Sequence, residues 1–136
     1  MTQEERKTMS SEIENNELLN SMALDEQMFR RLEKLIVTDE LYLQPRLSRK
    51  ELIERTNIPK NKFAELFRTY AGKTFTNFVN DLRLTRAAEQ LVAHPEYTIE
   101  TIAMECGMPK MQTFYRVFAE KYGMTPSAYR KSRKNK

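Results

Sequence analysis

Apolar residues recur along this chain at the three- and four-residue spacing of amphipathic helices, and the pattern occurs twice. Two triads carry this spacing: Phe63, Leu66 and Phe67 in the first copy, and Phe114, Val117 and Phe118 in the second. The side chains of one triad lie on one helix face, which is buried, and the opposite face stays free. Each triad is followed by a glycine, Gly72 or Gly123, where a helix is expected to end.

A second helix and a sharp turn are predicted before each triad. Ser48 and Thr98 stand where a hydroxyl side chain can cap the start of a helix. Asn57 and Gly107 follow as residues that accept a positive φ where the chain must turn. Each half of the chain therefore has the layout of a helix-turn-helix unit, which is suited to presenting a helix to duplex DNA.

A further amphipathic helix is predicted before the first unit. Apolar residues at helical spacing extend from Met28 to Ile36, and Asp25 can serve as the N-cap of this helix. The helix is expected to end near residues 38 and 39. Residues 41–47 are expected to form a non-helical connector, because Pro45 prevents a helix before Ser48. The apolar side chains of this connector are expected to dock on the same core.

The segment between the two units reads as one longer helix. It starts at Thr74 or Thr76, carries apolar residues at helical spacing and ends at His94 and Pro95. It has no counterpart in the repeat, so it is interpreted as a rigid spacer. A rigid spacer would hold the two trailing helices at a fixed separation, and adjacent major grooves on one side of B-DNA lie about 34 Å apart.

The predicted fold class is all-α, with two helix-turn-helix subdomains, a central linker helix and about seven helices. A chain of 136 residues can bury one modest core or two very small ones. The expected division is a polar, acidic linker or frayed segment over 1–24, a first subdomain over 25–75, the linker helix over 76–93, a second subdomain over 94–130 and a basic, solvated tail over 131–136.

Charge is distributed unevenly although the net charge is only +4. Residues 45–136 contain eighteen Lys and Arg against nine Asp and Glu, a net +9, whereas residues 1–44 contain five against ten, a net −5. Excess positive charge on the repeat is typical of a protein with a polyanionic partner. A solvated helical surface of mixed charge is the alternative interpretation.

Several classes of protein are disfavoured by what the sequence lacks. It contains neither a run of some twenty apolar residues nor a charged-then-apolar leader, so we expect no membrane contact by this segment and a cytoplasmic location. The single Cys106 stands just before a turn glycine, where a small apolar side chain packs. One histidine and one cysteine supply neither a catalytic nucleophile with its base nor a metal cluster, so no enzyme activity, cofactor or metal is predicted.

The chain resembles the AraC/XylS family of bacterial transcription regulators from Met28 to Arg130. The most specific stretch contains Ile102 and Ala103, the turn glycine, Phe114 and Phe118, and the sequence Tyr-Gly-Met-Thr-Pro-Ser-Ala-Tyr-Arg at 122–130. Residues 82–91 look like the linker helix of that family. The chain departs from the family at Met108, where phenylalanine is usual and where Met fills the same core position, and at Lys110, which replaces a serine.

The resemblance implies that the second helix of each unit enters a major groove and reads base edges from its exposed face. Carried over position by position, the base-reading candidates are Asn61, Lys62 and Glu65 in the first unit, and Met111, Gln112 and Arg116 in the second. Gln112 can present a donor and an acceptor to adenine, and Arg116 can bind O6 and N7 of guanine. Glu65 can accept from cytosine or instead pair with Lys62 or Arg68.

Other polar residues are better placed for phosphates, which position a protein without reading sequence. These candidates are Lys60, Arg68, Lys73, Lys110, Thr113 and Lys121. Tyr115 on the free face is a further candidate, and Arg83 in the spacer helix is the weakest one. Arg83 is at least as well suited to a structural ion pair. The spacing of the phenylalanines favours a core over a platform for stacking bases.

The resemblance implies double-stranded DNA and RNA polymerase as partners. The chain acts either as a small stand-alone regulator or as the output domain of a longer protein with a covalently linked sensor domain, and its acidic, polar start favours the second arrangement. A different class stays open: a basic helical adaptor that binds an acidic protein partner, or DNA without sequence preference. Binding of single-stranded RNA is less well supported, since no exposed aromatic pair is evident.

Overall fold

The computed structural model describes residues 2–134, and these residues are helical with short connections and no strand. The seven α-helices are α1 (Gln3–Glu33), α2 (Arg49–Thr56), α3 (Lys60–Ala71), α4 (Phe75–Ala93), α5 (Ile99–Glu105), α6 (Met111–Tyr122) and α7 (Pro126–Lys134). A π-helical turn at Lys34–Thr38 and a 3-10 turn at Leu41–Leu43 connect α1 to the first unit. The predicted all-α fold is confirmed. No helix of this part of the chain is both long and apolar enough to span a bilayer.

Helix α1 begins much earlier than the hydrophobic pattern indicated. Thr2 caps it by accepting a hydrogen bond from the backbone N–H of Glu5, whose carboxylate accepts one from the N–H of Thr2. The prediction of Asp25 as the N-cap was therefore wrong. Residues 3–24 contain no glycine or proline to interrupt a helix, so their low apolar content leaves the side chains exposed without ending the helix.

Two separate cores lie on either side of the middle of α4. The first joins α1, α2, α3 and the turn at Leu41–Leu43, and the second joins α5, α6 and α7. The phenylalanines of both triads are fully buried, as predicted. Helix α4 contributes Val79 to the first core and Leu84, Ala87 and Leu91 to the second. The central helix is thus a shared structural element of both units.

The predicted caps and turns are present. The hydroxyls of Ser48, Thr74 and Thr98 each accept a hydrogen bond from the backbone N–H three residues later, so α4 starts after Thr74 and not after Thr76. Asn57 and Gly107 have φ values of 59° and 93°. Residues 131–134 of the C-terminal basic run are exposed, and α7 continues through them to Lys134. Met1 and the last two residues of that run, 135–136, lie outside the described residues.

Asp81 ties both units to α4. Lys73, which follows α3, donates a hydrogen bond of 2.6 Å to this carboxylate, and Lys121, near the end of α6, lies 3.6 Å from its other oxygen. Lys121 also donates to the hydroxyl of Thr85 on α4 at 3.2 Å. One carboxylate on the central helix therefore connects the ends of α3 and α6.

Arg83 forms a second connection on another side of α4. Its guanidinium donates hydrogen bonds of 2.6 Å to the carbonyl of Tyr42 and 2.7 Å to that of Gln44. A Cβ on Gly107 would lie 2.9 Å from Nε of Arg83 and 2.9 Å from the Tyr42 carbonyl oxygen. The turn of the second unit therefore packs directly against the connector of the first, with Arg83 between them.

Replacement of Gly107 by alanine is expected to destabilise the protein by at least about 2 kcal/mol, because strain at positive φ adds to a clash with backbone atoms that cannot move aside. Gly123→Ala is the matched control, since φ is 71° there and the added Cβ meets nothing within 4 Å. That control should lose only about 1 kcal/mol. Urea unfolding measures both values, and equal losses would show that the close packing at Gly107 contributes little.

Asp81 is expected to make stability depend on pH in the acidic range. Burial raises the pKa of this carboxyl, but the hydrogen bond from Lys73 and the charges of Lys121 and Lys73 outweigh it, so the net pKa lies below its ordinary value. The stabilisation is therefore complete above the unfolded-state pKa of about 3.9 and is lost as the pH falls through the lower folded-state pKa. Asp81→Asn should remove this part of the acid dependence from the free energy of unfolding. An unchanged acid dependence in this variant would contradict the role of Asp81.

Candidate nucleic-acid interface

The second helix of each unit buries one face and exposes the other. On α6, Phe114 and Phe118 are fully buried, whereas Gln112 and Arg116 are exposed one turn apart. Tyr115 is 38% exposed, as expected for a residue on the free face. The packing of the triads therefore fixes which side chains of each helix are available to a ligand.

The exposed faces of α3 and α6 carry polar residues in the same register. If Phe63 is superposed on Phe114, Asn61 aligns with Gln112 and Glu65 aligns with Arg116. All four of these polar side chains are exposed. Both helices thus offer an amide near the start and a charged group one turn later, and these are groups that can bond to base edges.

Arg116 forms an exposed ion pair with Glu120 on the next turn, at 3.3 Å. Both side chains are 63% exposed, and pairs of this kind contribute little to stability. The guanidinium can therefore exchange Glu120 for another acceptor at small cost. Arg116 is the most accessible of the base-reading candidates that bear a positive charge.

Two base-reading candidates have contacts that the sequence did not predict. Lys62 donates a hydrogen bond of 2.6 Å to Asp25 on α1, and this bond raises the pKa of the lysine above its ordinary value. The alternative pairing of Glu65 with Lys62 is accordingly not observed. Met111 is half-buried and packs against the second core. Both side chains help to hold α3 or α6 in place.

The phosphate candidates fall into two groups. Lys60, Arg68 and Lys110 are exposed on or beside the two helices, and Thr113 is half-buried at the start of α6. Lys110 precedes α6 without a side-chain cap of the helix. In the second group, Lys73 and Lys121 pair with Asp81. Arg83 also belongs to this group, because its guanidinium is bonded to two backbone carbonyls and has a structural role.

Two clefts open next to the exposed faces of α3 and α6. One lies between the two units, and the other lies between α2, α3 and the start of α4. The larger has a volume of about 610 Å³ and is bordered by Arg46 from the connector, by Thr76 and Asn80 from α4, and by Lys110 and Thr113. The smaller, of about 370 Å³, is bordered by residues that include Arg49, Ala64, Arg68, Thr74 and Thr76. Arg46, Arg49, Thr76 and Asn80 were not found from the sequence, because tertiary packing brings them together and no local spacing marks them.

Cys106 is a core residue, as predicted. It is 1% exposed, its thiol donates to the carbonyl of Ala103 at 3.3 Å, and burial raises the pKa of the thiol to about 11. Within residues 2–134, no three His, Cys, Asp or Glu side chains are grouped so as to hold a metal ion. The buried thiol therefore offers no reactive group to a ligand at the surface.

Comparison with known proteins finds a family model, described as a helix-turn-helix domain, that matches residues 52–132. The probable transcriptional regulator LumQ of Photobacterium leiognathi is 30% identical over 110 residues, which are 79% of this chain and 44% of LumQ. The transcriptional activator RhaR of an Enterobacter species is 31% identical over 104 residues, 76% of this chain and 36% of RhaR. The chain thus spans less than half the length of these relatives.

Solved structures show the same fold. The C-terminal domain of AraT, a response regulator from Geobacillus stearothermophilus, matches with a TM-score of 0.72. The match covers 78% of this chain and 85% of that domain at 24% sequence identity. At this identity the likeness establishes the arrangement of the helices and leaves the ligand to be argued from the side chains.

The Cys106 thiol is expected to react with a maleimide or disulfide reagent far more slowly than free cysteine near neutral pH, because it is buried and mostly protonated. The rate in urea-unfolded protein provides the reference. A native rate that matches the unfolded one would contradict the placement of Cys106 in the core.

Proposed function

Because the chain belongs to the AraC/XylS-type family of helix-turn-helix domains, we propose that it is a transcription regulator that binds double-stranded DNA in a sequence-specific manner. In this proposal α3 and α6 enter two successive major grooves on one side of the duplex. One observation supports this function above the others: Asn61 and Glu65 on α3 are exposed in the same register as Gln112 and Arg116 on α6.

Base reading is assigned to the exposed side chains of the two helices. Gln112 and Asn61 can each bind an adenine edge through a donor and an acceptor, and Arg116 can bind O6 and N7 of guanine. Glu65 can accept a hydrogen bond from the cytosine amine. Lys62 and Met111 contribute less, because one is paired with Asp25 and the other packs against the core.

Phosphate contacts are assigned to exposed cations beside these helices. Lys60 and Lys110 lie at the two helix starts, and Arg68 lies one turn beyond Ala64. Such contacts fix the register of a protein on DNA without reading its sequence. The connections at Asp81 and Arg83 support a fixed separation of the units, which a match to grooves about 34 Å apart requires.

The partners and wider role of the protein follow from the same assignment. We propose that the domain controls transcription by RNA polymerase in the bacterial cytoplasm. A sensor domain covalently linked to it in a longer protein is the favoured arrangement, since the matched relatives are more than twice as long as the matched segment. The positive charge of residues 45–136 would also suit an acidic protein, but the matched relatives are named as transcription regulators and do not favour a basic adaptor.

Selection of bound duplexes from a random library, followed by footprinting, tests the proposal. A recovered motif with two protected major grooves one helical turn apart is the expected result. Binding without a motif would make the protein a nonspecific DNA binder. Absence of duplex binding, together with capture of an acidic protein, would favour the adaptor.

Arg116→Ala and Gln112→Ala are each expected to lose about 1 to 3 kcal/mol of binding free energy at the selected site and to relax the preference at one base pair. Glu120→Gln is the matched control, because it breaks the ion pair of Arg116 but leaves the guanidinium in place. Competition binding with single-base variants of the site measures the preference. If Arg116→Ala weakens binding equally on every sequence, Arg116 contacts phosphate and does not read a base.

A further inference from the structure

The two clefts meet at Thr76, in the first turn of α4. The larger cleft lies towards the start of α6, where Lys110 and Thr113 border it, and the smaller lies towards α3, where Ala64 and Arg68 border it. Thr76 borders both. The first turns of α4 are therefore the part of the protein that separates the exposed faces of α3 and α6.

The charge of this middle region is entirely positive. Arg46 and Lys110 border the larger cleft, Arg49 and Arg68 border the smaller, and no carboxylate lines either one. Arg83 adds to the positive potential while its own N–H groups bond to the Tyr42 and Gln44 carbonyls.

The polar groups of the larger cleft are available to a ligand. Arg46 is exposed, and within residues 2–134 it takes part in none of the ion pairs. Thr76 is exposed and Asn80 is half-buried at the cleft wall one turn later on α4. A guanidinium, a hydroxyl and an amide at a concave, positive surface are donors suited to phosphate oxygens.

We propose that Arg46, Thr76 and Asn80 form a binding site for DNA backbone phosphates, midway between the two reading helices. This inference rests on the proposed function. When α3 and α6 occupy successive major grooves, the backbone that borders the intervening minor groove passes over the first turns of α4. The site holds that backbone and so adds affinity without adding base preference.

The site can be tested without a known operator by measuring how the affinity for a random-sequence duplex depends on salt concentration. A duplex of about 24 base pairs, a little over two helical turns, is long enough. Each phosphate neutralised by a cation contributes about 0.9 to the slope of log K against log salt concentration. Arg46→Gln is expected to lower the slope by about that amount. Thr76→Val, which removes a neutral donor, should weaken binding about threefold to tenfold with little change of slope.

Arg30→Gln is the matched control, because it changes the net charge equally but removes an arginine of α1 that pairs with Glu26 and Glu33 and borders neither cleft. This control should keep the wild-type slope. Equal slopes for Arg46→Gln and Arg30→Gln would overturn the site, whereas wild-type failure to bind any duplex would overturn the proposed function together with it.

Neutral methylphosphonates placed one at a time along the selected duplex give a second measurement, and its first readout uses the wild-type protein alone. Substitution at the phosphates between the two protected grooves should weaken wild-type binding, and it should weaken Arg46→Gln binding less, because only Thr76 and Asn80 then remain to contact those phosphates. A wild type that tolerates methylphosphonates at every middle position, while still selecting its motif, would overturn the site and leave the proposed function standing.

Discussion

The attachment of both helix-turn-helix units to α4 is the constraint on which the arrangement of the protein depends. Asp81 and Arg83 are two residues apart, which places them roughly 200° apart around the helix. Asp81 holds the ends of α3 and α6 through Lys73 and Lys121, whereas Arg83 holds the connector through its carbonyls. Since α4 also contributes side chains to both cores, movement of one unit relative to the other would break polar and apolar contacts together.

Local features of the fold could be predicted from the sequence because a few neighbouring residues determine them. The hydroxyl caps, the positive φ of Asn57 and Gly107, and the burial of the phenylalanines in the two triads depend on adjacent chemistry and helical spacing. The start of α1 was missed because a lack of apolar residues reports on burial and not on helix formation. Residues 3–24 contain no glycine or proline to interrupt a helix, and Thr2 caps the helix that they form.

The candidate site was predicted less completely, for a physical reason. Which face of α3 or α6 is exposed follows from the triads, so Gln112 and Arg116 could be identified in advance as accessible. The partner of a long, charged side chain depends on which element lies opposite it in the fold, and local spacing along the sequence does not reveal that element. Lys62, Lys73, Lys121 and Arg83 were therefore placed among the DNA contacts, whereas the structure gives each of them an intramolecular acceptor.

The length of α1 has a mechanical consequence. From Gln3 to Met22 the helix advances about 30 Å beyond the first core, and its earliest long-range anchor in the described chain is the hydrogen bond from the Tyr70 hydroxyl to the Met22 carbonyl. Such an arm acts as a lever: a tilt of about 10° at its base displaces Gln3 by roughly 5 Å. Because Phe29 and Leu32 of the same helix are fully buried in the core that includes α3, and the Phe29 ring lies against that of Phe67, a tilt of the arm is coupled to the position of α3.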